Sequence, residues 1–202
     1  MTEHYFTPAP EAAQSPREIS LDFRDEQFRF LTDSGVFSKN ALDEGSALLL
    51  EAVLDQLSGA VLDLGCGWGP VGVITARLCP ACQVTLLDVN ARACQLAQEN
   101  ARRNRVSVNL LCQDGLTGLE VRFDWILLNP PIRAGKDTVY RLFRESVQHL
   151  NPGGTLAIVI RKQQGALSAQ RYLAGAFEEV RLHCRKKGYH VYFCTGGKSD
   201  AI

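Results

Sequence analysis

From residue 60 to residue 176 the chain alternates short apolar runs with stretches of helical periodicity, joined by links of a few residues. Strands are expected at A-V-L-D-L (60–64), Q-V-T-L-L-D (83–88), V-S-V-N-L-L-C (106–112), D-W-I-L-L (124–128) and G-T-L-A-I-V-I (154–160), and helices near 70–79, 91–103, 137–150 and 168–176. Strands joined through helices run parallel, because a tight turn can join only antiparallel neighbours, and the crossover helices cover both sheet faces. Two further strands, E-V-R-L-H-C-R and Y-H-V-Y-F-C-T, flank K-K-G, which reads as a hairpin turn. The expected fold is a doubly wound α/β sheet of about seven strands, mostly parallel, with an antiparallel C-terminal hairpin.

The residues ahead of this pattern read differently. Residues 1–18 hold three prolines and little apolar periodicity, which predicts an arm. E-I-S-L-D-F-R and E-Q-F-R-F-L-T then alternate apolar and polar residues about a short D-E turn, a hairpin signal. Leu50, Val53, Leu54 and Leu57 recur at helical spacing after the capping candidates Asp43 and Ser46, predicting one more helix. Residues 1–40 are therefore read as an arm and hairpin appendage, and residues 41–202 as the main domain.

A formal net charge of zero argues against a naked nucleic-acid binder, yet it conceals a division. Residues 1–100 carry 6 Lys/Arg against 14 Asp/Glu, and residues 101–202 carry 16 against 8. The seven cysteines are odd in number and lack disulfide-framework spacing, and Met1-Thr2-Glu3-His4 does not begin a basic, then hydrophobic, leader. Both features predict a reduced, cytoplasmic protein, and apolar runs far too short to span a bilayer predict no membrane span. Cys79-Pro80-Ala81-Cys82 has no second pair at zinc spacing and the four histidines form no H-x-x-x-H pair, so no metal site is expected.

In open parallel sheets ligands bind at the carboxyl ends of the strands, near the point where strand order reverses. The first such end is V-L-D-L-G-C-G-W-G-P-V-G, in which Gly65, Gly67 and Gly69 let the backbone turn sharply and approach a ligand beside a helix N-terminus. A literal G-x-G-x-x-G at Gly67, Gly69 and Gly72 raises a dinucleotide site, but its register is poor because the strand has already ended. The second strand ends at Asp88, about twenty residues past the loop, where a carboxylate can accept bonds from both hydroxyls of an adenosine ribose. Asn90 is better placed to cap the next helix, which leaves Asp88 for that role. The third strand ends in Asp114-Gly115, in isolation a turn signal.

The fourth strand end, Asn129-Pro130-Pro131-Ile132, is a rigid polar corner on a buried strand. Consecutive prolines offer no N–H groups, so the Pro130 carbonyl can project into a site, with the Asn129 side chain as a second acceptor. Two fixed acceptors can receive both hydrogens of a planar amino group such as N2 of guanine or N6 of adenine. They favour the positive charge that builds on such a nitrogen as it is alkylated, and no strong base is needed beforehand.

Asp63-x-Gly65-x-Gly67-x-Gly69 resembles motif I of the class I S-adenosylmethionine-dependent methyltransferases, and Asn129-Pro130-Pro131-Ile132 resembles the N-P-P-[F/Y] motif of those that methylate amines of nucleic-acid bases and of protein glutamine, with isoleucine in place of the aromatic residue. G-V-F-S-K (35–39), N-P-P-I-R-A-G-K and L-N-P-G-G-T-L (150–156) add a similarity to the small-subunit ribosomal RNA guanine-N2 methyltransferases, in a short form with one catalytic domain. The resemblance implies a Rossmann-like fold and S-adenosylmethionine as cofactor, released as S-adenosylhomocysteine. It assigns cofactor contacts to Asp63, Gly65, Cys66, Gly67, Gly69, Asp88, Val89, Asp114, Gly115 and Asn129, and the amine clamp to residues 129–132. Phe37 and Ser38 would cover the pocket, and Arg133, Lys136, Arg161 and Lys162 would contact RNA phosphates. The implied partner is ribosomal RNA or the small subunit. Methylation of adenine N6 or of a protein glutamine, and a non-catalytic RNA-binding or assembly role on the same fold, remain open alternatives.

Overall fold

The computed structural model describes residues 15–33, 36 and 41–198. Strands β1 (Arg17–Phe23) and β2 (Glu26–Thr32) form a hairpin of their own. The main sheet is built from β3 (Ala60–Leu64), β4 (Gln83–Asp88), β5 (Asn109–Cys112), β6 (Phe123–Leu128), β7 (Leu150–Arg161), β8 (Phe177–Lys186) and β9 (Tyr189–Gly197). Its order is β5-β4-β3-β6-β7-β9-β8, with β9 antiparallel to both β7 and β8 and the rest parallel. The chain winds outward from β3 through β5 and then returns to begin β6 on the other side of β3. The crevice between β3 and β6 is thus the point of reversal, and the glycine loop and the Asn129 corner both open onto it.

Helices α1 (Glu44–Val53), α2 (Pro70–Leu78) and α3 (Ala91–Arg103) cover one face, and α4 (Lys136–Gln148) and α5 (Ala166–Ala176) the other. Alternate residues of the central strands serve each side: Val61 joins the first core, Leu62 and Leu64 the second. This is why β3 and β6 read as nearly continuous apolar runs.

The expected strands and helices are present, with shifts at their ends that have local causes; of the arm expected over residues 1–18, residues 1–14 lie outside the described residues and β1 begins at Arg17. The strand expected over 106–112 starts only at Asn109. Arg105 takes a left-handed conformation (φ 54°) while Arg105 N–H donates to the Arg102 carbonyl and Val106 N–H to that of Ala101. These paired bonds terminate α3 and use up the residues that would have extended the strand. The first hairpin turns at Arg24-Asp25, one residue earlier than the D-E turn, with Arg24 at φ 52°.

The hairpin is fastened to the main body. Phe28 and Phe30 are fully buried in the same core as α1 to α3, each worth roughly 1.5–3 kcal/mol of apolar burial. Asn100 on α3 and Asn104 at its C-terminal cap, four residues apart, behave as a surrogate strand. Asn100 accepts from Leu31 N–H (2.6 Å) and donates to the Leu31 carbonyl (2.9 Å), and Asn104 does the same for Arg29 at 3.1 and 2.8 Å. Asn100 Nδ2 also donates to the Trp68 carbonyl (2.8 Å), and the Trp68 ring meets Phe30 edge-on with centroids 4.9 Å apart. The hairpin therefore braces the glycine loop from behind.

Candidate active site

The carboxyl ends of β3, β4, β5 and β6 enclose a cavity of about 670 Å³, a size suited to a small-molecule site. Asp63, Gly65, Cys66, Gly67, Asp88, Val89, Asp114, Gly115, Asn129, Pro130, Pro131, Ile132 and Arg133 all line it. Sequence-distant candidates thus converge on one space. Gly69 stands just behind, in a left-handed conformation at the N-terminus of α2, and Lys136, Arg161 and Lys162 lie outside the lining, exposed near its rim. Phe37 and Ser38 lie outside the described residues.

The glycine loop is held by carboxylates. Asp63, 4% exposed, accepts from the Gly72 N–H at 2.8 Å, capping α2 from the end of β3. Burial pushes its carboxyl up to about 7, against the Gly72 hydrogen bond, which favours the anion. Gly72 is needed here for close approach: a Cβ would lie 1.9 Å from the Leu86 side chain. Asp88 accepts from Gly67 N–H at 2.7 Å and from Asn90 N–H at 2.9 Å, and burial raises its carboxyl as well. Asn90 caps α3, accepting from Arg92 and Ala93 N–H groups, as its position implied. Gly65 and Gly67 have φ of 73° and 57°, and a Cβ on either would meet nothing within 4 Å. Their left-handed backbone faces open space, as a loop that receives a ligand requires. Cys66 is buried and its thiol is driven well above the ordinary range, so it lacks the thiolate character of a nucleophile.

Asp114 carries a partner that its sequence context did not reveal. Arg141 on α4 bonds Asp114 at 2.6 Å and Glu145 at 2.9 Å, while Glu145 accepts from Leu116 N–H at 2.7 Å. The loop after β5 is thereby tied to α4 at the cavity edge.

The Asn129 corner is held in the opposite sense. Asn129 Nδ2 lies 3.2 and 3.3 Å from the Asp43 carboxylate oxygens and 3.1 Å from Ser46 Oγ. Reversing the amide would set its oxygen against that carboxylate, so its orientation is fixed and Oδ1 is the part left to meet a ligand. Asp43 also caps α1, accepting from Gly45 and Ser46 N–H groups at 3.0 and 3.2 Å. The sequence marked Asp43 and Ser46 as capping residues, but their tie to a residue 86 positions away is legible only in three dimensions. The Pro130 carbonyl is partly engaged: it accepts from Ile132 N–H at 2.8 Å across Pro131 (φ −74°, ψ 74°), an inverse γ-turn. A carbonyl has two lone pairs, so one remains for a ligand.

The profile of the methyltransferase small domain matches residues 27–193. The chain belongs to the methyltransferase small domain family. A Bacillus subtilis relative, the uncharacterized protein YbxB, is 40% identical over 195 residues, covering 95% of this chain and 97% of its own length. A ribosomal RNA small subunit methyltransferase C of Pseudomonas entomophila is 34% identical over 196 residues, 94% of this chain but 58% of that protein. The Mannheimia succiniciproducens protein of that name is 43% identical over 129 residues, 62% of this chain and 39% of its own. The chain thus spans half or so of those two methyltransferases' length and nearly all of the Bacillus protein's. Among solved structures, the T. thermophilus 16S rRNA N2 G1207 methyltransferase, in complex with AdoMet and guanosine, matches with a TM-score of 0.81 at 26% identity, over 90% of this chain and 50% of that one. The family resemblance read from the glycine loop and the N-P-P corner is confirmed, and so is the mostly parallel seven-stranded sheet with its antiparallel C-terminal pair.

Among the described residues no three His, Cys, Asp or Glu side chains group as a metal site would require, and no helix is long and apolar enough to cross a membrane.

Proposed function

We propose that the protein transfers a methyl group from S-adenosylmethionine to the exocyclic N2 amine of a guanine in small-subunit ribosomal RNA. The observation that carries this reading is the Asn129 amide, tied off through Nδ2 to Asp43 and Ser46 so that its oxygen remains for the cavity shared with the glycine loop.

The residues fit the cofactor. The open left-handed turns at Gly65 and Gly67 leave room against the backbone, and Asp88 keeps lone pairs for ribose hydroxyls beyond those given to Gly67 and Asn90. Val89, Asp114 and Gly115 would border the adenine, while Asp63, Cys66 and Gly69 shape the loop. When bound, S-adenosylmethionine supplies an electrophilic methyl group.

The chain's own residues do the rest. Asn129 Oδ1 and the Pro130 carbonyl accept the two hydrogens of the planar amine, orient its nitrogen and favour the charge that develops there. Pro131 holds the pair still, and Ile132 offers an aliphatic contact to the base. Arg133 at the cavity, with Lys136, Arg161 and Lys162 near its rim, would orient RNA through phosphates, in keeping with the basic second half of the chain. A base paired in a helix would have to leave its stack to reach Asn129. In this reading residues 41–202 are the catalytic unit, residues 1–40 include its brace, and the site of action is the cytoplasm. The names of the ribosomal RNA methyltransferase relatives favour RNA over the other planar amines, adenine N6 and protein glutamine.

Two measurements test this. Equilibrium titration should show binding of S-adenosylmethionine and S-adenosylhomocysteine, and ordinary NAD affinity with neither of them bound would overturn the cofactor assignment. Labelled methyl groups should then pass to isolated small subunits or to their free RNA. Failure with every RNA and subunit preparation, despite tight cofactor binding, would leave the non-catalytic module as the better reading.

A further inference from the structure

The residue that departs from the N-P-P-[F/Y] pattern, Ile132, leaves the proposed amine clamp without its own aromatic ring. A ring from elsewhere in the chain shares the cavity. Tyr189 opens β9, directly after the Lys187-Gly188 turn, and pairs with Arg161 at the ligand end of β7. The turn is held there by the Lys162 N–H, which donates to the Gly188 carbonyl at 2.8 Å. Tyr189 is half-buried and lines the cavity together with Asn129, Ile132 and Gln164. Its ring reaches the first turn of α1: a Cβ on Gly45 would lie 3.0 Å from Tyr189 Cε1 and 3.0 Å from Asp43 Oδ1. Asp43 is the carboxylate that anchors Asn129. The ring thus lies beside the same helix turn that anchors the clamp.

We propose that Tyr189 supplies the aromatic surface for the target base, replacing the ring that the corner lacks at Ile132. This rests on the reading of the cavity as a methylation site for a nucleobase. Every base offers a π face, so a ring placed beside two fixed acceptors adds affinity while the acceptors select the amine. The Arg161 guanidinium lies over one face of the Tyr189 ring, 5.5 Å from its centroid, so the base is assigned to the other face, and the planar cation beside it suits a phosphate. The division of labour also accounts for a small aliphatic residue at position 132: a subsite that already holds one ring gains little from a second on a rigid proline corner.

The test uses the full chain saturated with S-adenosylhomocysteine and titrated with guanosine, in parallel with labelled methyl transfer to RNA. Tyr189→Leu should weaken guanosine binding by about tenfold or more with cofactor affinity unchanged. Tyr189→Phe, which keeps the ring, should recover most of that loss, and so should adding Ile132→Phe to Tyr189→Leu. Unchanged guanosine affinity in Tyr189→Leu, a loss that neither ring restores, or a parallel loss of cofactor affinity would overturn the proposal. If guanosine binding depends on Tyr189 but the wild type methylates no guanine, the proposed reaction falls and the subsite stands. If the wild type methylates guanine with no dependence on Tyr189, the reverse holds.

Discussion

The glycine loop after β3 and the Asn129 corner after β6 sit at the ends of adjacent strands, with Leu64 and Leu128 in register, yet they are built on opposite plans. The glycine loop spends its glycine N–H groups inside the protein, Gly65 on the Leu87 carbonyl, Gly67 on Asp88, Gly69 on the Cys66 carbonyl and Gly72 on Asp63, and what it leaves at the cavity is open space beside Gly65 and Gly67, where no Cβ stands. The corner offers acceptors, so it uses prolines, which have no N–H, and an amide whose donor end is tied to Asp43 and Ser46. In the proposed reading the first surface gives the cofactor room against the backbone and the second gives an amine two fixed acceptors. The contrast teaches that neighbouring strand ends can divide one crevice, one made open by residues without Cβ and the other stripped of donors by prolines and a tied amide.

Separate perturbations of the two plans should have separate consequences. The largest effect is expected from Asn129→Ala, which removes one acceptor and leaves the Pro130 carbonyl alone: turnover should fall by about 100- to 1,000-fold while S-adenosylhomocysteine affinity by calorimetry stays near the wild type. Equal losses in turnover and cofactor affinity would erase the distinction between corner and loop. The mirror experiment is Asp88→Ala, which deletes the bond from Gly67 N–H that holds the glycine loop and a second from Asn90 N–H at the start of α3. Cofactor affinity should fall by about 10- to 100-fold, with turnover at saturating cofactor much less affected.

Much of this contrast was legible in the sequence because it depends on residue types that act locally. Glycines without Cβ, prolines without N–H and carboxylates at strand ends each declare a backbone chemistry, and their order along the chain placed them on successive strands. What was not legible is how the two ends are fastened. Asp43 with Asn129, Asn100 with Leu31 and Trp68, and Arg141 with Asp114 join residues 27 to 86 positions apart, and no local pattern encodes those pairings. The engagement of the Pro130 carbonyl by Ile132 N–H was hidden for another reason: it depends on the ψ of Pro131, which the ring does not fix. Tyr189 carried no motif at all and is brought to the cavity by strand order.

These fastenings supply two finer tests. Asp43→Ala removes a helix cap, at a cost of about 1 kcal/mol in chemical denaturation, and releases Asn129 Nδ2. Turnover should drop by about tenfold through loss of orientation, with cofactor affinity unchanged, placing Asp43 on the corner's side of the comparison. The smallest effect concerns Asp63, whose buried carboxyl is raised to about 7. A folded value above the unfolded value of roughly 3.9 gives stability that is complete below about pH 4 and is lost as pH rises through 7. Asp63→Asn keeps an acceptor for Gly72 without the charge, so its Tm should exceed that of the wild type by on the order of 5 °C at pH 8, and the gap should narrow toward pH 5. A gap that widens on acidification would show that the carboxylate stabilises the loop.

The most direct measurement is the identity of the product. Small-subunit RNA labelled by the protein from methyl-labelled S-adenosylmethionine, digested to nucleosides and resolved by mass spectrometry, should carry its label as N2-methylguanosine in the wild type, with almost none from Asn129→Ala. Label recovered as N6-methyladenosine, or in ribosomal protein as methylglutamine, would contradict the guanine assignment. Undiminished N2-methylguanosine from Asn129→Ala would contradict the clamp itself.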